Sequence, residues 1–196
     1  MLKIIGGEYR RRLIEGPPDK ERSRPMPARV KESLFNLLRG WFEGARVLDL
    51  FAGVGTMGLE AASRGAEEVV LFERDRAMHA ILEANIDELG CGERCRAVCA
   101  DALGPAALAQ APRPVDVVFM DPPYAIMQQE ALKATVLAQA ARLPSLMADK
   151  SWLILRTPEE LGPEERAIEG LQGPEVHPYG EDMFVYLYFR DPTVVG

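Results

Sequence analysis

The chain has 196 residues, enough for one well-buried core with a small appendage, and its 47% hydrophobic and 27% charged content is ordinary for a globular protein. No apolar run reaches the roughly 18 residues that a membrane span needs, and the amino terminus lacks a secretory-type apolar stretch, so a cytoplasmic protein that engages no membrane is expected. A net charge of −7 disfavours a nucleic-acid partner only in total, because the first 40 residues hold ten Lys/Arg against five acids while the other 156 hold 13 against 25. Cys91, Cys95 and Cys99 match no common zinc spacing, and His79 and His177 stand apart from them, so reduced structural thiols and no metal are expected.

Lys3 to Ile5 and Tyr9 to Ile14 flank Gly6-Gly7 and read as a short hairpin carrying Arg10, Arg11 and Arg12 in its second arm. Alternation there puts Arg10 and Arg12 on one face, although a merely solvated charged strand fits the triplet equally well. Residues 15–27 are rich in proline and charge and read as a loop. Ala28 to Trp41 follows, with Val30, Leu34, Leu37, Leu38 and Trp41 at helical spacing. Arg29 and Lys31 lie off that apolar face, available to phosphate or to water alone. Residues 1–42 are therefore expected to form a basic extension suited to a nucleic acid, and residues 43–196 the catalytic body.

Arg46 to Leu50 is the first expected core strand, running into Phe51-Ala52-Gly53-Val54-Gly55-Thr56-Met57-Gly58 and a helix from Met57 to Ser63. Glycines here permit a tight turn and close approach of a ligand, a weak signal that also fits a dinucleotide site. Val69 to Glu73 is the second strand, and its terminal acid can accept both hydroxyls of a ribose. A helix from Asp75 to Leu89, closed by Gly90, leads to a third strand, Arg96 to Ala100. Asp101 then either meets an adenine amine or caps the short helix after it.

Val115 to Met120 is a near-continuous apolar run stopped by Asp121-Pro122-Pro123-Tyr124. Two prolines cannot continue a ladder, so Asp121 and the Pro122 carbonyl must project beyond the carboxyl end of the strand. Ligands of open α/β sheets bind at that edge. A carboxylate, a rigid carbonyl and an aromatic ring together suit a planar amine. Gln128 to Leu143 reads as a helix, Trp152 to Leu155 as a fifth strand, Arg166 to Glu169 as a weak strand between loops, and Phe184 to Phe189 as the last. The pattern predicts an α/β Rossmann-like fold with a seven-stranded, mostly parallel sheet and an antiparallel edge.

Four separated pieces, Asp49-x-Phe51-Ala52-Gly53-x-Gly55, Glu73, Asp101 and Asp121-Pro122-Pro123-Tyr124, resemble in order and spacing the motifs of S-adenosylmethionine-dependent methyltransferases that modify exocyclic amines. At the front, Ile5-Gly6-Gly7-x-Tyr9-Arg10 and Arg24-Pro25-x-x-x-Arg29-Val30-Lys31-Glu32-x-Leu34-Phe35-Asn36 resemble the signature of the RsmD family. The resemblance implies a class I fold and transfer of methyl to N2 of a guanine in bacterial small-subunit (16S) ribosomal RNA. It implies a donor site made by Asp49, Phe51, Ala52, Gly53, Gly55, Glu73, Arg74, Asp101, Ala102 and Asp121. It further implies catalysis at Asp121, Pro122, Pro123 and Tyr124, and RNA contacts from Arg10, Arg11, Arg12, Arg24, Arg29 and Lys31. The expected partner is 16S rRNA in a partly or fully assembled small subunit, met by a monomer.

The chain departs from the family pattern at Arg11, where glycine is usual, at Met26-Pro27, where a threonine pair is usual, and at Arg156, where an acid is common. Competing readings are an adenine-N6 methyltransferase, a protein glutamine methyltransferase, a noncatalytic RNA-binding assembly factor, and a plain dinucleotide-binding domain.

Overall fold

The computed structural model describes residues 1–18 and 26–193. Its strands and helices are β1 (Leu2–Lys3), β2 (Leu13–Ile14), α1 (Ala28–Leu37), β3 (Arg46–Asp49), α2 (Gly58–Ser63), β4 (Glu68–Phe72), α3 (Arg76–Leu89), β5 (Cys95–Val98) and α4 (Pro105–Ala109). They continue with β6 (Val115–Met120), α5 (Tyr124–Met127), α6 (Glu130–Ala140), β7 (Met147–Thr157), β8 (Gln172–Pro178) and β9 (Phe184–Arg190). Seven strands form one sheet in the order β5-β4-β3-β6-β7-β9-β8. Pairings from β5 through β7 are parallel, whereas β9 runs antiparallel to both β7 and β8.

Period-two geometry sends successive side chains of each strand to opposite faces. Val47, Val69, Leu71, Val117 and Phe119 pack with α1, α2 and α3 on one face, where Ile4, Tyr9, Ile14 and Met26 join them. Leu48, Val70, Phe72, Val118 and Met120 pack on the other with residues of α4, α5 and α6. Burial on both faces explains why these strands read as apolar runs rather than alternating ones.

Two expected elements are corrected. The amino-terminal hairpin has a shorter ladder and a wider turn than expected: Leu2↔Ile14 and Lys3↔Leu13 pair, Ile4 bonds across to the backbone of Arg11 and Arg12, and the Gly7 carbonyl accepts the Arg10 N–H. Arg11 adopts φ +73, the left-handed region, so Arg10 and Arg12 do not alternate along a strand. The expected strand at residues 166–169 is not extended, and the edge strand is β8, which contains Pro174 and Pro178. Proline is tolerated there because an edge strand has one unpaired side.

Candidate active site

The chain leaves β3 toward β4 and β5 on one side, then returns across to β6, so the sheet reverses its winding between β3 and β6. A crevice opens at such a switch point, beyond the carboxyl ends of the strands. The loop after β3 is built by contacts from all around it. Asp49 Oδ2 accepts the Gly58 N–H at 3.0 Å, and Glu73 Oε2 accepts the Gly53 N–H at 3.0 Å. Asn85 of α3 donates to the Val54 carbonyl at 2.9 Å. Gly55 has φ +92, and a Cβ there would stand 2.6 Å from Leu82 Cδ1, so no larger residue fits. At Gly58 a Cβ would meet Leu71 at 2.5 Å, and glycine therefore lets α2 lie directly on β4.

Carboxylates accumulate around this loop. Asp49 is wholly buried, and burial pushes it up to about 7, with the Gly58 N–H opposing the shift and the charges of Asp121 and Glu73 adding to it. Glu73 Oε1 also accepts the Asp75 N–H at 2.7 Å. Asp101 is exposed, accepts the Leu103 N–H at 2.9 Å in a local turn, and lies 3.7 Å from Arg74; it does not cap α4, whose N-cap is Gly104. Ala102 is buried beneath it, its carbonyl accepting from Gln139 at 2.8 Å. Phe51 packs half-buried at the other side of the loop.

Asp121 directly follows β6, and Pro122-Pro123 turn the chain into α5, which starts at Tyr124. Burial raises the Asp121 pKa while the facing Arg156 opposes that shift by charge and by hydrogen bond. Arg156, from β7, donates through Nε to Asp121 Oδ1, and its guanidinium carbon stands 5.3 Å from the Tyr124 ring centroid. Met26, Met57, Phe119 and Ile154 line the small pocket beside this pair. Met26 stands just before α1, so the start of that helix lies beside this pocket, and Arg29 in its first turn is exposed.

The structure thus brings Asp49, Phe51, Ala52, Gly53, Gly55, Glu73, Arg74, Asp101, Ala102 and the Asp121-to-Tyr124 tetrapeptide to one edge of the sheet. The other basic residues behave differently. Lys31 is 5% exposed and ion-paired to Glu60 at 3.1 Å, so it lies inside the protein rather than on an RNA face. Burial lowers its pKa, with Glu60 opposing. Arg12 reaches the Leu89 carbonyl at 3.3 Å and Glu88 at the end of α3. That helix starts at the crevice and runs 14 residues away from it, about 20 Å at 1.5 Å per residue. Arg10 and Arg11 are exposed on the same distal loop, and Arg24 lies outside the described residues. Arg156 and Met26 were not among the expected site residues. Both, however, stand at positions where the sequence departs from the family pattern, and Arg156 also directly follows the apolar run of the fifth core strand.

A glycine-shaped loop, acids at successive strand ends and an acceptor tetrapeptide at the switch point define a class I methyltransferase. The chain matches the solved structure of the Escherichia coli protein yhhF with a TM-score of 0.80 and 31% identity, covering 97% of this chain and 98% of that one. It matches magnesium protoporphyrin IX methyltransferase from Synechocystis in fold alone, with a TM-score of 0.63 at 20% identity over 83% and 79% of the two chains. The chain belongs to the family described as Conserved hypothetical protein 95, the RsmD family, whose pattern spans residues 2–188. Ribosomal RNA small subunit methyltransferase D of Escherichia coli (strain K12) is 38% identical over 152 residues, which are 78% of this chain and 69% of that relative.

Proposed function

We propose that the protein transfers a methyl group from S-adenosylmethionine to the exocyclic N2 of a guanine in 16S rRNA of the small ribosomal subunit. The observation that carries this reading is the meeting of Asp121-Pro122-Pro123-Tyr124 with an acid-rimmed, glycine-turned loop at the sheet's switch point. The family relationship supports an RNA substrate, since the Escherichia coli relative is named for small-subunit rRNA methylation.

The donor is a cation with a ribose and an adenine, and the crevice offers groups suited to each part. Phe51 to Gly55 would wrap the amino-acid part and Glu73 would accept the ribose hydroxyls. Asp101, with Ala102 beneath it and Arg74 beside it, would meet the adenine amine. Asp49 shapes the loop by holding Gly58.

In the transfer the C–S bond of the donor breaks as the N–C bond forms, positive charge passes from sulfur to nitrogen, and one N–H proton leaves. The amine of guanine is a poor nucleophile because its lone pair is delocalised into the ring. Hydrogen bonds from that amine to Asp121 and the Pro122 carbonyl favour a pyramidal nitrogen and stabilise the charge developing on it. Holding the amine in line with the methyl group is most of the remaining work. Tyr124 stacks on the base, which must be unstacked from its neighbours to reach this depth.

Residues 1–42 supply the basic extension. Arg29 is exposed in the first turn of α1 and would hold a phosphate near the crevice, whereas Arg10 and Arg11 would hold phosphates some 20 Å away along the RNA. Transfer of labelled methyl to small ribosomal subunits, to their deproteinised RNA and to DNA, followed by nucleoside analysis, tests the reading. N2-methylguanosine is expected, and the particle-to-RNA ratio identifies the natural substrate. Label in N6-methyladenine would move the protein to the adenine class, and donor binding without transfer would make it a noncatalytic factor.

A further inference from the structure

Asp121 and Tyr124 share a neighbour that the proposed chemistry has not yet used. Arg156 comes from β7, beside β6, and its side chain is 6% exposed. Its Nε donates to Asp121 Oδ1 while its guanidinium lies 5.3 Å from the Tyr124 ring centroid. A planar cation thus meets the carboxylate at its edge and the aromatic ring near its face. We propose that Arg156 is a positioning residue for methyl transfer, acting through Asp121 by keeping that carboxylate ionised and fixed in orientation. The proposal rests on the reading of the site as a base-amine methyltransferase.

The surroundings give Asp121 little other support for a negative charge. Met26, Met57, Phe119 and Ile154 line the adjacent pocket and offer no donor. The other acids of this edge are Asp49, from β3, and Glu73, just after β4, and Asp49 feels the charges of both Asp121 and Glu73. Burial favours the protonated form of Asp121, and Arg156 is the cation that opposes it. A protonated Asp121 would keep a carbonyl oxygen but lose the net charge that stabilises a developing cation on the amine. Arginine suits the task because it stays protonated when buried and holds a fixed fork. An ionised carboxylate has about four lone-pair positions, so Arg156 and a base amine can share it.

The test compares wild type, Arg156→Gln and Arg156→Lys in kcat and KM from about pH 5.5 to about pH 9.5, using labelled donor and small ribosomal subunits. Donor affinity and thermal unfolding are measured on the same samples. Arg156→Gln should move the acidic limb of kcat upward by about one pH unit or more and lower kcat along that limb by about tenfold per unit moved, with recovery at high pH. Arg156→Lys should shift the limb less, and donor affinity should stay within about twofold of wild type. An unmoved limb, an equal loss at every pH, or a faster Arg156→Gln enzyme would overturn the proposal, the last by making the contact a block. Absence of transfer by the wild type would overturn the methyltransferase reading itself, so the two failures are distinguishable.

Discussion

Glu60 and Lys31 meet at 3.1 Å with side chains 0% and 6% exposed, and this pair fixes the amino-terminal segment to the catalytic body. Glu60 also accepts the N–H groups of Ile5 and Gly6 at 2.8 Å each and Arg64 Nε at 3.1 Å. Ser63, one turn on, accepts the Tyr9 N–H at 2.9 Å and donates to the Gly6 carbonyl at 2.6 Å. Breaking one partner of a buried pair typically costs about 3 kcal/mol or more, because the other charge is left in low dielectric. Lys31→Met should therefore lower stability by about that amount in urea unfolding, with no change in the salt slope of RNA binding. A reduced salt slope would return Lys31 to the RNA interface.

The distal loop gives the opposite signature. Arg10 and Arg11 are exposed, and their joint replacement by alanine should leave unfolding unchanged. If both neutralise phosphates, the slope of log K against log salt should fall by roughly 1.4 to 1.8. Filter binding of rRNA fragments over a salt series reads this directly, and an identical slope would remove the loop from the interface. The deficit in transfer should fall on KM rather than on kcat, since these residues lie far from the crevice.

A third expectation concerns Asp49. Its ordinary value of 3.8 rises to about 7 in the folded protein, so between those values the native state holds a proton that the unfolded chain has released. Stability accordingly falls as pH rises from about 4 to about 7 and levels off above. Asn at this position keeps an acceptor for the Gly58 N–H and cannot titrate. Between about pH 5 and about pH 8, Asp49→Asn should flatten the fall by roughly 2 to 3 kcal/mol, leaving the part due to Asp121, which is raised in the same sense. Unfolding by urea at about pH 5 and about pH 8 supplies the comparison; parallel behaviour of variant and wild type would refute it.

Asp121→Ala should abolish transfer while donor binding survives, but it also leaves the buried Arg156 without its carboxylate. A stability loss of about 3 kcal/mol is expected with it. Adding Arg156→Met should restore most of that stability and none of the activity. Melting curves and transfer assays on the single and double variants separate the two effects; activity in either variant would refute the assigned role of Asp121.

Much of this arrangement was legible beforehand, for physical reasons. Strands buried on both faces must be apolar throughout, which marked β3, β4 and β6, and Pro122-Pro123 can only end a strand. Gly53, Gly55 and Gly58 marked the turn, although Gly58 serves packing against Leu71. What escaped depended on partners distant in the chain. Lys31 has the helical position of a solvated base, and its burial follows from Glu60, which no local pattern connects to it. The backbone of Arg11 gave no warning of its left-handed conformation. β8 was hidden because Gly173, Pro174 and Pro178 break the alternation that identifies strands. Asn85, which bonds both the Val54 carbonyl and the backbone of Glu15, looked like any polar helix residue.

The short helix α2 has a consequence for mapping this enzyme by mutation. All six of its residues are buried, its first N–H is held by Asp49, and its Glu60 and Ser63 grip the amino-terminal segment. A saturation library scored by activity would record these six positions as an unbroken block of intolerance, as severe as the Asp121 tetrapeptide. Counting the same library by abundance of folded protein would separate them: Gly58 to Ser63 would fall in both scores, whereas Pro123 and Tyr124, on the more open face, would fall in activity alone.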